Sequence, residues 1–584
     1  MTDCKNIERK SAQATAFTVV DFGNLSLLFV LACGLYFWKL GALPFYERGE
    51  GREGLVIWEM VHSGNWILPI VNGEYIPFKP PLFHWISLAF TIATGYLDEF
   101  TIRFPSALFG TAGVLLTYWV GSRWWNHRAG LAAGVVLVTS FGWWQAATIA
   151  QVDMVLAYFV SASLMLFYSL YRAEKNRAQK AIGLAVLLAL ATLAKGPLGT
   201  AAPAFVIVLF LLLQKDLRFV TRLPLFWGTV TYFLIAGSWY VLAYAQGGWS
   251  FLQRQIVDET VLTGVGNYGR YQPPYYYLPV IFYNLAPWSF FLPALGVFLY
   301  QRRRRFPLDA LQYLLVWFVA ILAFYSMARG KRGIYLLPLY PAFALLFGAW
   351  WSALGAEKEA SAIPARWIGW LYVSLFTLAV LGIGVYMISD PASTAGRFRS
   401  LTRKLQAVGL LQADGHSFAV NIKYSMAILS ALILFLACSL WQKFWPGVFA
   451  FLAVIAIVQL VLIRTVYFPH FVAPRTFKPF MARVIQNIRP STPLMFYRAF
   501  DAAAIFYADR HIPQYETLSA TPQRPFLLMW EEDFDRLKGQ NSLAALDISE
   551  GFGPALRHRL MLVEPGADGA LVDTVAPYKS NAND

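Results

Sequence analysis

Thirteen apolar runs, all but one about 17–25 residues long, limit what this chain can fold into, because an α-helix of that length is what crosses a hydrocarbon core. They lie near residues 24–42, 104–122, 130–147, 154–171, 180–194, 197–214, 225–245, 276–300, 310–328, 333–352, 367–389, 425–441 and 446–466. Inside a bilayer no water satisfies backbone polar groups, so such runs fold as helices. Only 14% of the 584 residues are charged and 58% are hydrophobic, against about 25% charged in soluble domains. The expected fold is a polytopic α-helical membrane protein of about 13 spans. Aromatic residues make up 17%, with 21 Trp and 30 Tyr, as fits a chain whose helix ends repeatedly meet the headgroup zone.

A fourteenth apolar piece, 81–97, is shorter and opens at Pro80-Pro81. Charge decides its treatment. If it crossed the membrane, Arg123, His127, Arg128, Arg172, Lys175, Arg177, Lys180 and the run 302–305 would all fall outside, inverting the positive-inside bias. If it lies along the outer surface, those clusters face the cytoplasm, together with Lys215, Arg218, Arg222 and Lys443. The second arrangement is expected, with the N-terminus inside and the C-terminus outside. The formal net charge of +15 then reflects basic loops facing anionic lipid rather than nucleic acid. Lys5, Arg9 and Lys10 before the first run read as the start of an uncleaved span. Cys4, Cys33 and Cys438 are far apart and carry no metal-type spacing or disulfide framework. Beyond about residue 467 the apolar runs shorten to strand length, as at 493–497 and 525–530, and alternate with helical stretches such as 478–488 and 532–538. A membrane domain over 1–467 and a small outer α/β domain over 468–584 are expected.

The same topology gathers an unusual set of charges on the outer side. Lys79, Asp153, Lys195, Lys331 and Arg332 all sit where the bias disfavours or does not require them. The loop after the first run holds Glu47, Arg48, Glu50, Arg52 and Glu53 within seven residues. A carboxylate at a water-poor edge can act as a general base, and Arg or Lys beside it can bind phosphate oxygens. A solvated loop that only marks the water boundary would look similar. Lys79 stands in Pro77-Phe-Lys-Pro-Pro81, where prolines on both sides stiffen the backbone. Asp153 opens an apolar run and Lys195 closes one, so each also suits a helix dipole. Asp258-Glu259 form an adjacent acidic pair with no nearby His, and His62 and His84 are isolated and read as structural.

In order along the chain stand Glu50-Gly-Arg52, Glu59-Met60 with Gly64-Asn-Trp66, Asn72-Gly73, Lys79-Pro-Pro-Leu82, Arg103-Phe-Pro-Ser-Ala107, Asp153, Lys195-Gly196, Pro287-Trp288 and Gly330-Lys-Arg-Gly-Ile-Tyr335-Leu-Leu-Pro338. This series resembles the bacterial aminoarabinose (lipid A) transferases, relatives of protein O-mannosyltransferases with the GT-C fold. Their pattern reads D-E-x-R-Y, E-M, G-D-W, P, N-G and E-K-P-P, and the resemblance covers about residues 20–345. It implies transfer of a sugar from a polyprenyl-phosphate-linked donor to a lipid or protein acceptor at the outer face of the bacterial inner membrane. Glu50 is then the acid nearest the catalytic centre, Asp153 a second acidic position needed for activity, Arg52, Lys79 and Lys331 the phosphate ligands, and Tyr335 a pocket residue. Lys195 joins them as a substrate-binding cation.

The departures from the pattern are specific. The first Asp of D-E-x-R-Y falls on Gly49, so its role passes to Glu50 or, as the alternative, Glu47. The Glu of E-K-P is Phe78, and the His that partners it in metal-binding relatives falls on Glu259. Glu259 is thus the remaining metal candidate, a divalent metal stays open, and Arg270 stands in for a missing H-x-x-R. A protein O-mannosyltransferase-like enzyme acting on Ser or Thr is the nearest alternative. A lipid-linked sugar flippase is another, but its charges would sit near the midplane in repeated halves, and no repeat is present here.

Overall fold

The computed structural model describes residues 17–73, 79–255, 257, 272–302, 310–354, 362–388, 415–515, 525–538, 543–554 and 556–565. Among these, eight helices are long and apolar enough to span a bilayer, or up to ten if two bent pairs each count as one span. Three of the five apolar runs that are not among the eight show why the count is lower. The run at 197–214 yields a helix of 16 residues, Leu198–Leu213. The runs at 130–147 and 276–300 each break in the middle, with bends of 64° and 110°.

The first helices frame one end of the bundle: α1 (Val19–Tyr36), α2 (Arg48–Ser63), α3 (Leu82–Thr94) and α4 (Glu99–Trp124). α3 has only 13 residues, between Pro81 and a left-handed Gly95. At 1.5 Å rise per residue that is about 20 Å, too short to cross a core of about 30 Å. It packs on α2 and α4 instead. α4 opens with a reciprocal cap between Asp98 and Thr101, which fixes where the span begins.

α5 (His127–Thr139) turns through Ser140 into the short α6 (Phe141–Ala147), and the chain then enters α7 (Val152–Tyr171), α8 (Arg177–Lys195) and α9 (Leu198–Leu213). α5 is wedged between α4 and the helix Tyr340–Leu354. Small residues make this possible: a Cβ on Gly348 would stand 2.3 Å from the Ala129 carbonyl oxygen. Close backbone approach of this kind is how helices associate where lipid removes the hydrophobic drive. The N-terminal end of α7 and the C-terminal end of α8 share a cavity with one face of α2, and that end holds the site.

Residues 478–565 include a five-stranded sheet of order β2-β1-β3-β5-β4. Its strands are β1 (Leu494–Tyr497), β2 (Gln514–Tyr515), β3 (Phe526–Trp530), β4 (Leu543–Ile548) and β5 (Leu560–Pro565). β1 runs parallel to β2 and β3, while β5 is antiparallel to β3 and β4. The helix Ala502–Ala508 carries this unit onto α2. Gly51 is required at that contact, since a Cβ there would lie 2.7 Å from the Ala503 Cβ. Polar bolts surround it. Trp58 Nε1 donates to Asp509 at 2.7 Å, Glu59 pairs with His511 at 2.9 Å, and Asn72 exchanges two hydrogen bonds with the Ile512 backbone.

Candidate functional site

At the end of the bundle where these helices meet, ten residues line a small cavity: Gly49, Arg52 and Glu53 from α2, Lys79, then Gln151, Val152 and Asp153, then Lys195, and finally Arg332 and Tyr335. Gly49, Arg52 and Glu53 are spaced i, i+3, i+4, so one face of α2 supplies all three. Asp153 lies in the first turn of α7 and Lys195 is the last residue of α8, followed by Gly196 with φ of +73°. Each suits its own helix dipole. The two also meet: Lys195 Nζ donates to Asp153 Oδ1 in a short ion pair, both side chains 8% exposed. The same ammonium sits 4.1 Å from the centre of the Tyr335 ring.

Arg52 donates to Glu53 Oε1 at 3.1 Å, and the second oxygen of Glu53 meets His84 Nε2 at 2.7 Å. Burial pushes the Glu53 carboxyl up, but Arg52, the His84 hydrogen bond and Lys79 outweigh it and bring it down to about 2. These partners favour the ionised form of Glu53. Lys79 is buried, and burial together with the positive charges of Lys195 and Arg52 holds its ammonium well below the ordinary lysine value. An anion entering here meets four basic side chains, Arg52, Lys79, Lys195 and Arg332.

Two expected site residues stand elsewhere. Glu50 does not line the cavity. It and Arg103 are both fully buried, with Arg103 Nε donating to Oε1 at 2.7 Å and Nη2 to Oε2 at 3.1 Å. Its oxygens also accept from the backbone of Tyr46 and Ala150, while Arg103 donates to the carbonyls of Leu40, Leu43 and Pro44. Glu50 thus pins the first loop to α4 and to the turn before α7. Glu47, its alternative, is half-buried outside the lining. Burial and the charge of Glu50 raise its carboxyl, with Arg332 and Arg475 opposing.

Lys331 is the second. Its ammonium donates to the carbonyls of Ala328 at 2.6 Å and Gln272 at 3.2 Å, so it ties a turn together. Arg332 faces the cavity in its place. Its backbone is extended (φ −136°, ψ 141°), and consecutive side chains along extended backbone point to opposite sides. Arg52, Lys79, Asp153, Lys195 and Tyr335 do converge on the cavity. Arg270, Glu259 and Phe78 lie outside the described residues. Among the described residues no group of three or more His, Cys, Asp or Glu side chains is placed to hold a metal ion, so no step is built on one.

In the sequence Glu53 stands only as one of five first-loop charges and His84 reads as structural, whereas the fold pairs the two beside the cavity. The i, i+4 spacing of Gly49 and Glu53 was the available signal for the first. Nothing in the sequence joined His84 to it across 31 positions.

Comparison with known proteins follows the same lines. The family described as dolichyl-phosphate-mannose-protein mannosyltransferase matches residues 78–254. An uncharacterized protein of Aquifex aeolicus is 30% identical over 361 residues, 60% of this chain and 68% of that protein. The undecaprenyl phosphate-alpha-4-amino-4-deoxy-L-arabinose arabinosyl transferase 2 of Proteus mirabilis is 28% identical over 366 residues, 62% of this chain and 64% of the transferase. The crystal structure of ArnT from Cupriavidus metallidurans bound to undecaprenyl phosphate superposes with a TM-score of 0.74 at 20% identity, covering 94% of this chain and 99% of that one.

Proposed function

Because the chain belongs to the family of GT-C membrane glycosyltransferases that includes the bacterial aminoarabinose (lipid A) transferases, we propose that it moves a sugar from a polyprenyl-phosphate-linked donor to a lipid acceptor of the lipid A type. The site opens at the outer, periplasmic face of the inner membrane, and the sheet-bearing unit within residues 478–565 lies on that side. The observation that carries this reading is the convergence of Arg52, Lys79, Lys195 and Arg332 with Tyr335 on one small cavity.

The chemistry follows from those groups. A sugar bonded to a lipid phosphate needs no nucleotide, because the phosphate is itself the leaving group. Charge grows on its oxygens as the anomeric C–O bond breaks, and preorganised cations stabilise that charge most where water is excluded. Lys79 is the cation most responsive to the ligand, since a phosphate beside it restores the affinity for its proton that burial and like charge remove. An acceptor hydroxyl attacks in line from the opposite side with inversion, and a carboxylate takes its proton. Lys195 is held in place by Asp153 and Tyr335, so it contributes a fixed positive charge at no further ordering cost.

Purified protein in detergent, supplied with defined polyprenyl-phosphate sugars and a lipid acceptor, is expected to release polyprenyl phosphate. Lys79→Ala is expected to lower that rate by about 10²–10³-fold, the scale of losing one preorganised donor. No release with any donor would sink the reading. The family match over 78–254 also supports a protein acceptor as the alternative; transfer to a Ser- or Thr-containing exported peptide, and none to lipid, would select it.

A further inference from the structure

Two carboxylates line the cavity, Glu53 and Asp153, and they differ in what binds them. Asp153 is closed against the Lys195 ammonium in a short ion pair. A proton delivered to it would break the contact that fixes Lys195 over Tyr335. Glu53 has one oxygen on Arg52 and the other on His84. An ionised carboxyl offers about four acceptor positions, so these two partners leave lone pairs for an incoming hydroxyl.

The space beside Glu53 is also suited to a substrate. Gly49 lies one turn earlier on the same face of α2, and a Cβ built there finds its nearest neighbour, Gln151 Nε2, at an ordinary 3.7 Å. The helix therefore presents an open position next to the carboxylate. In the D-E-x-R-Y pattern an acid occupies the position of Gly49 and a tyrosine that of Glu53. Here the acid stands one turn along the same face.

His84 explains why Glu53 stays aimed there. The imidazole is 1% exposed, on α3, and its Nε2 faces a carboxylate that can only accept, so Nε2 carries a proton. Among the described residues its buried Nδ1 has no hydrogen-bond partner, so the Glu53 contact is the polar bond that orients the ring there.

We propose that Glu53 takes the proton of the acceptor hydroxyl and that His84 is the residue that positions it. The proposal rests on the transferase reading above. The acceptor oxygen forms its bond to the anomeric carbon as the anomeric carbon–phosphate oxygen bond breaks. The electron pair of that bond leaves with the polyprenyl phosphate, and the hydroxyl proton passes to Glu53 Oε. From there the proton goes to water or to the leaving phosphate, whose second ionisation lies near pH 6, about that of other phosphate monoesters. A weakly basic carboxylate suffices, because the attacking hydroxyl becomes strongly acidic only as its new bond forms.

The test uses the full-length protein in detergent, with single-turnover rates and the binding of polyprenyl phosphate measured separately. Glu53→Gln is expected to lower the single-turnover rate by about 10²–10⁴-fold, the usual worth of a positioned base, while polyprenyl phosphate binding is retained. Adding Gly49→Asp to Glu53→Gln returns a carboxylate to the same helix face and is expected to recover at least about tenfold of that loss, an effect no purely structural role would give. His84→Phe is expected to lower kcat with donor KM unchanged, and His84→Asn, whose amide still donates to Glu53, to keep more of it. Wild-type turnover together with Glu53→Gln within about threefold of it would overturn the assignment alone, as would a folded, donor-binding double variant without recovery. A wild-type protein that releases no polyprenyl phosphate from any donor would overturn the transferase reading and this proposal with it.

Discussion

Glu50 and Arg103 form a two-point ion pair in which neither side chain has any exposed surface, 53 positions apart in the chain. Every remaining strong donor of the guanidinium reaches a carbonyl of the segment 40–44. Removing one partner of such a pair strands the other charge, at a cost of about 3–5 kcal/mol. Glu50→Gln is therefore expected to lower thermal stability in detergent steeply, with residual folded protein turning over at a rate near wild type. A stable Glu50→Gln protein with abolished single-turnover chemistry would return Glu50 to the reacting centre.

How far the sequence reached depends on the kind of information each residue carries. Lys79, Asp153 and Lys195 were legible because the membrane penalises charge in the wrong place, and that penalty acts on position in the sequence alone. The structure gathers all three at one cavity. Glu50 stands off the cavity lining, against Arg103, although it is a close chain neighbour of Arg52. An α-helix advances about 100° per residue, so from Gly49 the next residue, Glu50, turns about 100° away toward Arg103, whereas Glu53 returns to within about 40°. Lys331 and Arg332 were separated by the same kind of fact, the alternation of extended backbone. The short β2 (Gln514–Tyr515) and the pairing of β5 with two antiparallel neighbours had no local signal, because strand partners are chosen by packing and not by the strand itself.

Tyr335 supports Lys195 through the face of its ring, 4.1 Å from the ammonium. A desolvated contact of this kind is worth about 0.5–2 kcal/mol. Tyr335→Leu is expected to weaken polyprenyl phosphate binding by that amount, and Tyr335→Phe, which keeps the ring, by much less. Equal losses in the two variants, measured by titration of the purified protein, would move the role from the ring to the phenol hydroxyl.

Gly51 lies where α2 presses on the helix Ala502–Ala508, and a Cβ there would meet both the Cβ and the backbone nitrogen of Ala503 at 2.7 Å. Backbone cannot yield as a flexible side chain does. Overpacking a tight contact typically costs about 1–3 kcal/mol, so Gly51→Val is expected to loosen the 478–565 unit from α2. Faster protease cleavage near residues 498–512 would report it, together with a fall in turnover, since α2 carries Arg52 and Glu53. Unchanged cleavage would mean that the contact is slack.

Asp501 caps the same helix, accepting from the Ala504 N–H at 2.8 Å. Burial raises its carboxyl from 3.8 to about 6, with the bonds from Ala504 and Ala503 and the charge of Arg48 only partly opposing. Between about pH 4 and pH 6 the folded protein thus binds more protons at this group than the unfolded chain does. The stability contributed by the protonated form is present below pH 4 and is lost as pH rises through 6. Asn is as good an N-cap as Asp and cannot ionise. Asp501→Asn is accordingly expected to slow amide hydrogen exchange in residues 502–508 relative to wild type at pH 7 and above, with the difference closing toward pH 4. A difference that stays constant across that range, or that grows toward acid, would show that ionisation of Asp501 does not set the strength of the contact between this helix and α2.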